Sequence, residues 1–145
     1  MIQLKDILYK VALEEVVGNT HSAIRDIHFD SRNVGLDDVF VAIRGTLSDG
    51  HNFIKQAIDK GAIAVVAESL PKDRVNGVTY VKVQDTQEAL ARMAANFYEN
   101  PSEEIELIGI TGTNGKTTIS TLLYQLFTKA GFACGLLSTV TIKVA

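Results

Sequence analysis

Apolar residues recur along the chain at two spacings, and the alternation between them predicts its elements. Leu4, Ile7, Leu8 and Val11 fall at helical intervals and predict a helix over residues 4–13. Residues 24–29 alternate imperfectly between apolar and polar and read as a short strand. Residues 39–43 are an unbroken apolar run between Asp37-Asp38 and Arg44-Gly45, the pattern of a strand buried on both faces. Phe53, Ile54, Ala57 and Ile58 form a second helical stripe, closed by Gly61 where a left-handed residue commonly ends a helix. Residues 62–67 and 78–83 read as two more buried strands. Asp85 offers a side-chain acceptor at an N-cap, with Glu88 three residues on. The helix behind it carries Ala89, Leu90, Met93, Ala94 and Phe97 on one face and ends near Asn100-Pro101.

Strand and helix therefore alternate up to about residue 100, and residues 101–104 read as a polar linker. The pattern then restarts. Ile105, Leu107, Ile108 and Ile110 predict a strand, a glycine-rich turn follows, then a helix over 116–130 and a strand around 134–142. Leu122, Leu123, Leu126 and Phe127 make a stripe expected to face a core. The expected fold is α/β: a small N-terminal α/β domain at 1–100, then the start of a P-loop-type ATPase domain at 105–145, built as strand, phosphate loop, helix and strand.

Composition narrows the classes. The chain has 145 residues, with 14 Lys and Arg against 17 Asp and Glu, so its net charge of −3 argues against binding nucleic acid through bulk charge. At 46% hydrophobic and 21% charged it is an ordinary globular sequence. Its one cysteine, Cys134, excludes an internal disulfide and a multi-cysteine zinc site, and its apolar surroundings read as core. No apolar run approaches the roughly 20 residues that span a bilayer. The first residues lack a basic segment followed by an apolar one, so the expected location is the cytoplasm. His21 and His28 have no second ligand at metal spacing, and His51, just before a helix, reads as a local hydrogen-bonding residue.

The sharpest chemistry lies in Gly112-Thr113-Asn114-Gly115-Lys116-Thr117-Thr118. Glycines between a strand and a helix let successive backbone N–H groups converge on one anion, and the helix dipole favours the same place. Lys116 can reach the β- and γ-phosphates of ATP as a point charge and is the candidate catalytic residue. The Thr117 hydroxyl is placed to ligate Mg²⁺. The loop is a shortened variant: the general pattern has a glycine five positions before Gly115, where this chain has Ile110, whereas Gly112 stands three before. The alternative is a glycine turn with a solvent-facing lysine. A second motif, Asp30-Ser31-Arg32, reads from its chemistry either as a binding loop or as a turn with a local Asp–Arg pair. Asp85 could pass for a nucleotide-site carboxylate, but helix capping explains it better.

The order and separation of Asp30-Ser31-Arg32, residues 37–45, Asp49-Gly50-His51-Asn52-Phe53-Ile54, Gly61-Ala62 and the phosphate loop resemble the Mur ligases of peptidoglycan synthesis, over the whole chain. The resemblance implies that residues 1–100 hold the uridine-diphosphate end of the substrate, with Phe29, Ser31 and the loop Thr46, Leu47 and Ser48 in contact with it. It implies ATP and Mg²⁺ as cofactors, with Gly112 to Thr118 holding the nucleotide. The implied reaction is amide formation: the terminal carboxylate of UDP-N-acetylmuramoyl-L-alanyl-D-glutamate is phosphorylated, and the amine of a diamino acid, meso-diaminopimelate or L-lysine, attacks the acyl phosphate. The family member that adds D-alanyl-D-alanine, and a non-catalytic nucleotide-sugar-binding module, remain as alternatives. Folate polyglutamate ligases share the central domain but lack the Asp30-Ser31-Arg32 domain.

Only 27 residues follow Thr118 and none is acidic. The expectation is therefore an N-terminal portion of a longer ligase, inactive alone and prone to self-association through uncovered strand edges.

Overall fold

The computed structural model describes residues 2–46 and 48–144. It contains two compact units, Met1–Ile105 and Glu106–Ala145. The first is a five-stranded sheet in the order β1-β5-β4-β3-β2, with β1 at Leu13–Val17, β2 at Ile27–His28, β3 at Val39–Val41, β4 at Ala64–Ala67 and β5 at Thr79–Val83. Strands β2 to β5 run parallel and β1 is antiparallel to β5.

The apolar runs of β3 and β4 are continuous, and β5 is interrupted only by Thr79 and Lys82, because both faces of the sheet are covered. Val39, Val41, Ala64, Val66, Val81 and Val83 point to one face, where they pack with Leu4 and Ile7 of α1 (Leu4–Ile7) and Ala89 and Met93 of α3 (Thr86–Phe97). The alternate residues Phe40, Ala42, Val65, Ala67 and Tyr80 point to the other, against Ile54 and Ala57 of α2 (Ile54–Asp59). The result is three layers, helix on sheet on helix.

Local signals account for most boundaries. The Asp85 carboxylate accepts hydrogen bonds from the N–H groups of Gln87 at 2.7 Å and Glu88 at 3.0 Å, which caps α3. Gly61 follows α2 with φ +110°, and a Cβ there would lie 2.9 Å from the Leu36 Cα, so this turn requires glycine. Glu99 and Asn100, both left-handed, end α3 before a short 3-10 turn at Pro101–Glu103.

Several expectations are corrected. The helix predicted over 4–13 is a single turn. Lys10 at φ +59° breaks it, and the chain continues into β1. All five β1 residues are exposed, so their order carries no burial period. Backbone pairing with β5 places the strand, supported by Lys82 Nζ on Glu14 at 2.7 Å. The strand predicted over 24–29 is reduced to two residues.

The second unit holds α4 at Lys116–Lys129 and an antiparallel hairpin, β6 at Gly135–Leu137 and β7 at Ile142–Val144. Residues 106–110 form no strand: a β ladder needs a second backbone, and none pairs with them among the described residues. The single strand expected around 134–142 is instead this hairpin, turning at residues 138–141. The expected core stripe on α4 is only partly covered: Leu123 and Phe127 are half-buried, but Leu122 is 59% and Leu126 62% accessible, because a two-stranded ribbon covers too little of a helix. Cys134 is half-buried rather than core. Its Sγ lies 3.1 Å from Thr128 Oγ1 and 3.7 Å from the Tyr124 carbonyl, beside the end of α4. No helix among the described residues is long and apolar enough to cross a membrane.

Candidate functional site

Parallel strands present their following loops at one edge of the sheet, the usual place for a ligand in α/β proteins. In the first unit the loops after β2, β3 and β4 meet there. The β2 loop carries Phe29, whose ring is 64% exposed, and Ser31, which is 94% buried. The Ser31 hydroxyl donates to Gln56 Oε1 of α2 at 3.0 Å. Between them Asp30 accepts a two-toothed hydrogen bond from the Arg32 guanidinium, at 2.9 Å from Nε and 2.7 Å from Nη2. It also accepts from the Arg32 N–H at 2.9 Å. The local Asp–Arg turn is thus present, and Lys60 Nζ fastens it to α2 by donating to the Arg32 carbonyl at 2.8 Å.

The β3 loop is closed at its base by the Gly45 N–H on the Ser48 carbonyl at 2.9 Å and the Gly50 N–H on the Ile43 carbonyl at 2.8 Å. Thr46 and Ser48 are exposed. Leu47 lies outside the described residues. Gly50 packs directly on the strand: a Cβ there would stand 2.6 Å from the Ile43 oxygen. Arg44 reaches Asp49 at 3.4 Å and Glu68, just past β4, at 3.8 Å. Glu68 in turn accepts from the hydroxyl of the buried Thr86, at the start of α3, at 3.0 Å.

Sequence reasoning singled out Ser31 but not its partner Gln56, and quoted Arg44 within the 37–45 motif but not its partner Glu68. These pairs lie 24 or 25 residues apart across separate elements, and no spacing rule links them.

In the second unit the glycine-rich loop runs into α4 with Gly112 at φ +145° and Gly115 at φ +80°. Both values favour glycine, and both let the backbone curl ahead of a 14-residue helix. The Lys116 ammonium folds over the loop, donating to the Gly112 carbonyl and, at 3.4 Å, to that of Thr113. Thr113, Asn114 and Thr118 are exposed, and Thr117 is half-buried in the first helical turn. No group of three metal-ligating side chains gathers among the described residues.

Charge is organised at the opposite edge too. Asp38, just before β3, is fully buried. Arg25 donates to it through Nε at 2.9 Å and Nη2 at 2.7 Å, the Gly35 N–H donates at 2.7 Å, and His28 Nε2 lies 3.3 Å away. Burial pushes this carboxyl upward. The hydrogen bonds from Arg25 and Gly35, with the charges of Arg25 and His28, outweigh it and hold the group below its usual range. Hydrogen bonds from Arg32 lower Asp30 to about 2. The N–H and ring of His51 lower Asp49.

A carboxyl depressed in the folded state binds fewer protons than its unfolded counterpart. Its stabilisation is therefore complete above the unfolded value, about 4, and is lost as pH falls through the folded value. The expected result is a urea midpoint that falls as pH drops below about 4. Asp38→Asn should flatten that drop, and an unchanged profile would remove Asp38 from the explanation.

The first unit defines an α/β protein with a mixed sheet, helices on both faces and loops gathered at the ends of its parallel strands. The profile of the Mur ligase family, catalytic domain, matches residues 23–98. The chain belongs to that family. A relative from Cytophaga hutchinsonii, named UDP-N-acetylmuramoyl-L-alanyl-D-glutamate–2,6-diaminopimelate ligase, is 51% identical over 140 residues, covering 96% of this chain and 29% of its own length. A relative of the same name from Clostridium tetani is 41% identical over 145 residues, with the same coverage of both chains. The chain thus spans about 29% of the length of the curated relatives it matches. Among solved structures, a ligase with that name superposes with a TM-score of 0.72 at 23% identity, over 99% of this chain and 28% of its own, a likeness of fold. The MurF ligase of Thermotoga maritima in complex with ADP superposes at 0.55 and 34% identity, over 72% of this chain and 23% of its own.

Proposed function

We propose that this chain supplies the substrate-holding part and the first phosphate-binding part of an ATP-dependent ligase. The ligase joins diaminopimelate to UDP-N-acetylmuramoyl-L-alanyl-D-glutamate. The observation that carries the reading is the 51% identity, across nearly the whole chain, to a curated ligase of that name.

On this reading residues 1–100 bind the uridine-diphosphate end, and the polar stretch 101–104 leads into the ATP-binding part. Phe29 offers an exposed ring for the uracil to stack on. Ser31 has committed its proton to Gln56, so its lone pairs are left to accept. Thr46 and Ser48 offer hydroxyls from the neighbouring loop. In the second unit the backbone of Gly112 to Gly115 and the side chains of Lys116, Thr117 and Thr118 hold the phosphates of ATP. A magnesium ion, when bound, neutralises phosphate charge. Thr117 is the residue of this chain suited to hold it, since Mg²⁺ takes few protein ligands and fills its shell with phosphate oxygens and water.

The chemistry asks for such groups. A carboxylate is a poor electrophile, and its phosphorylation depends on positioning and charge stabilisation more than on covalent help from the protein. Lys116 places a positive charge where negative charge gathers on the transferred group.

Calorimetric titration with UDP-N-acetylmuramoyl-L-alanyl-D-glutamate tests the substrate half. Ser31→Ala is expected to weaken binding about 5- to 10-fold, the loss of one hydrogen bond at a buried site. Equal binding by both chains would take Ser31 out of the site. No binding by the folded wild-type chain would count against residues 1–100 as a self-sufficient substrate-holding unit.

A further inference from the structure

The loop after β3 leaves the sheet at Arg44 and returns at Asp49, and its inner hydrogen bonds close only its own base. What ties it to the rest of the unit is the imidazole of His51, which is largely buried and bonded on both sides. Nε2 receives the backbone N–H of Glu68 at 3.2 Å and of Ser69 at 3.4 Å, the first residues after β4. Two N–H groups aimed at one ring nitrogen require that nitrogen to be bare, so the ring proton sits on Nδ1. There it is 2.6 Å from Asp49 Oδ1, the residue that ends the loop and also caps the 3-10 turn by accepting the His51 N–H at 2.9 Å.

We propose that His51 is a positioning residue for substrate binding: its neutral ring, bonded to Asp49 and to the end of β4, fixes the loop that presents Thr46 and Ser48 to the uridine-diphosphate end. This rests on the reading of that loop as part of the substrate site. His51 itself touches no substrate in this assignment. Arg44, close to both Asp49 and Glu68, is the second brace across the same gap.

The proposal separates the two ring nitrogens. Glutamine can return an acceptor near the Nε2 position, and asparagine a donor near Nδ1.

The test measures the affinity of the chain for UDP-N-acetylmuramoyl-L-alanyl-D-glutamate, with thermal melts of every variant. His51→Ala is expected to weaken binding about 10- to 100-fold, the range for losing hydrogen bonds to a charged partner. His51→Gln and His51→Asn should each recover part of the loss. If Ser31→Ala weakens binding while folded His51→Ala binds like wild type, the positioning role is wrong and the substrate site stands. If affinity tracks melting temperature alone across the three His51 variants, with no recovery in His51→Gln or His51→Asn beyond what their stability returns, the role is structural and the proposal fails. If the folded wild-type chain binds no substrate, the reading beneath it fails as well.

Discussion

Replacing Lys116 by alanine is expected to lower substrate-dependent ADP release by the complete ligase about 10²- to 10³-fold, the usual cost of removing one charge-stabilising donor from a reacting group. Lys116 is the one cation in the stretch from Gly112 to Thr118. Its ammonium lies over the loop carbonyls of Gly112 and Thr113, so it is held at the mouth of the loop before any phosphate arrives. Lys116→Arg should not restore activity. A planar fork cannot enter a curl of glycine backbone in the way a compact ammonium does. The affinity for the uridine-diphosphate substrate should be unchanged in both variants, because the proposed substrate residues belong to the other unit. Activity within a few-fold of wild type in Lys116→Ala would remove the loop from phosphoryl transfer and favour the plain glycine turn.

Phe40→Ala should be the most destabilising single change in the first unit, at about 3–5 kcal/mol. Phe40 sits at the centre of β3, fully buried, beside Val65 of β4 on the face of the sheet that packs with Ile54 and Ala57 of α2. Truncation removes most of a ring's buried area and leaves a cavity that a β-strand pinned on both sides cannot close. A loss of that size is a large part of the roughly 5–15 kcal/mol that a whole domain possesses. Phe40→Leu should cost about 1.5 kcal/mol or less, since most of the volume is kept. Phe29 is the matched control. Its ring is largely exposed, and Phe29→Ala should change stability by no more than about 0.5 kcal/mol while weakening substrate binding. Urea unfolding followed by circular dichroism separates the two. Similar midpoints for Phe40→Ala and Phe29→Ala would contradict the burial argument.

Much of the first unit was legible because its strands carry their environment in their composition. Residues 39–43 and 62–67 are apolar on both faces and 78–83 nearly so, which a sheet covered on two sides explains, and Asp85 and Gly61 mark a start and a stop by local chemistry. The glycine turn ahead of α4 was legible for the same reason: glycines at 112 and 115 meet a positive-φ backbone requirement contained within a few residues.

What tertiary structure decided lies where partners are distant or missing. Strand β1 is exposed throughout and owes its existence to β5, nearly seventy residues away. The apolar residues of 106–110 and the stripe on α4 have the composition of strand and core, yet composition cannot supply a neighbour, and among the described residues of this unit the sheet is a two-stranded hairpin. The site divides in the same way. Ser31 could be singled out from the sequence, but its commitment to Gln56 could not. His51 could be assigned local bonding to Asp49, but not its acceptance of the Glu68 and Ser69 N–H groups. Local backbone preference and burial period are written residue by residue, whereas a hydrogen bond between two loops exists only once the sheet has brought them to the same edge.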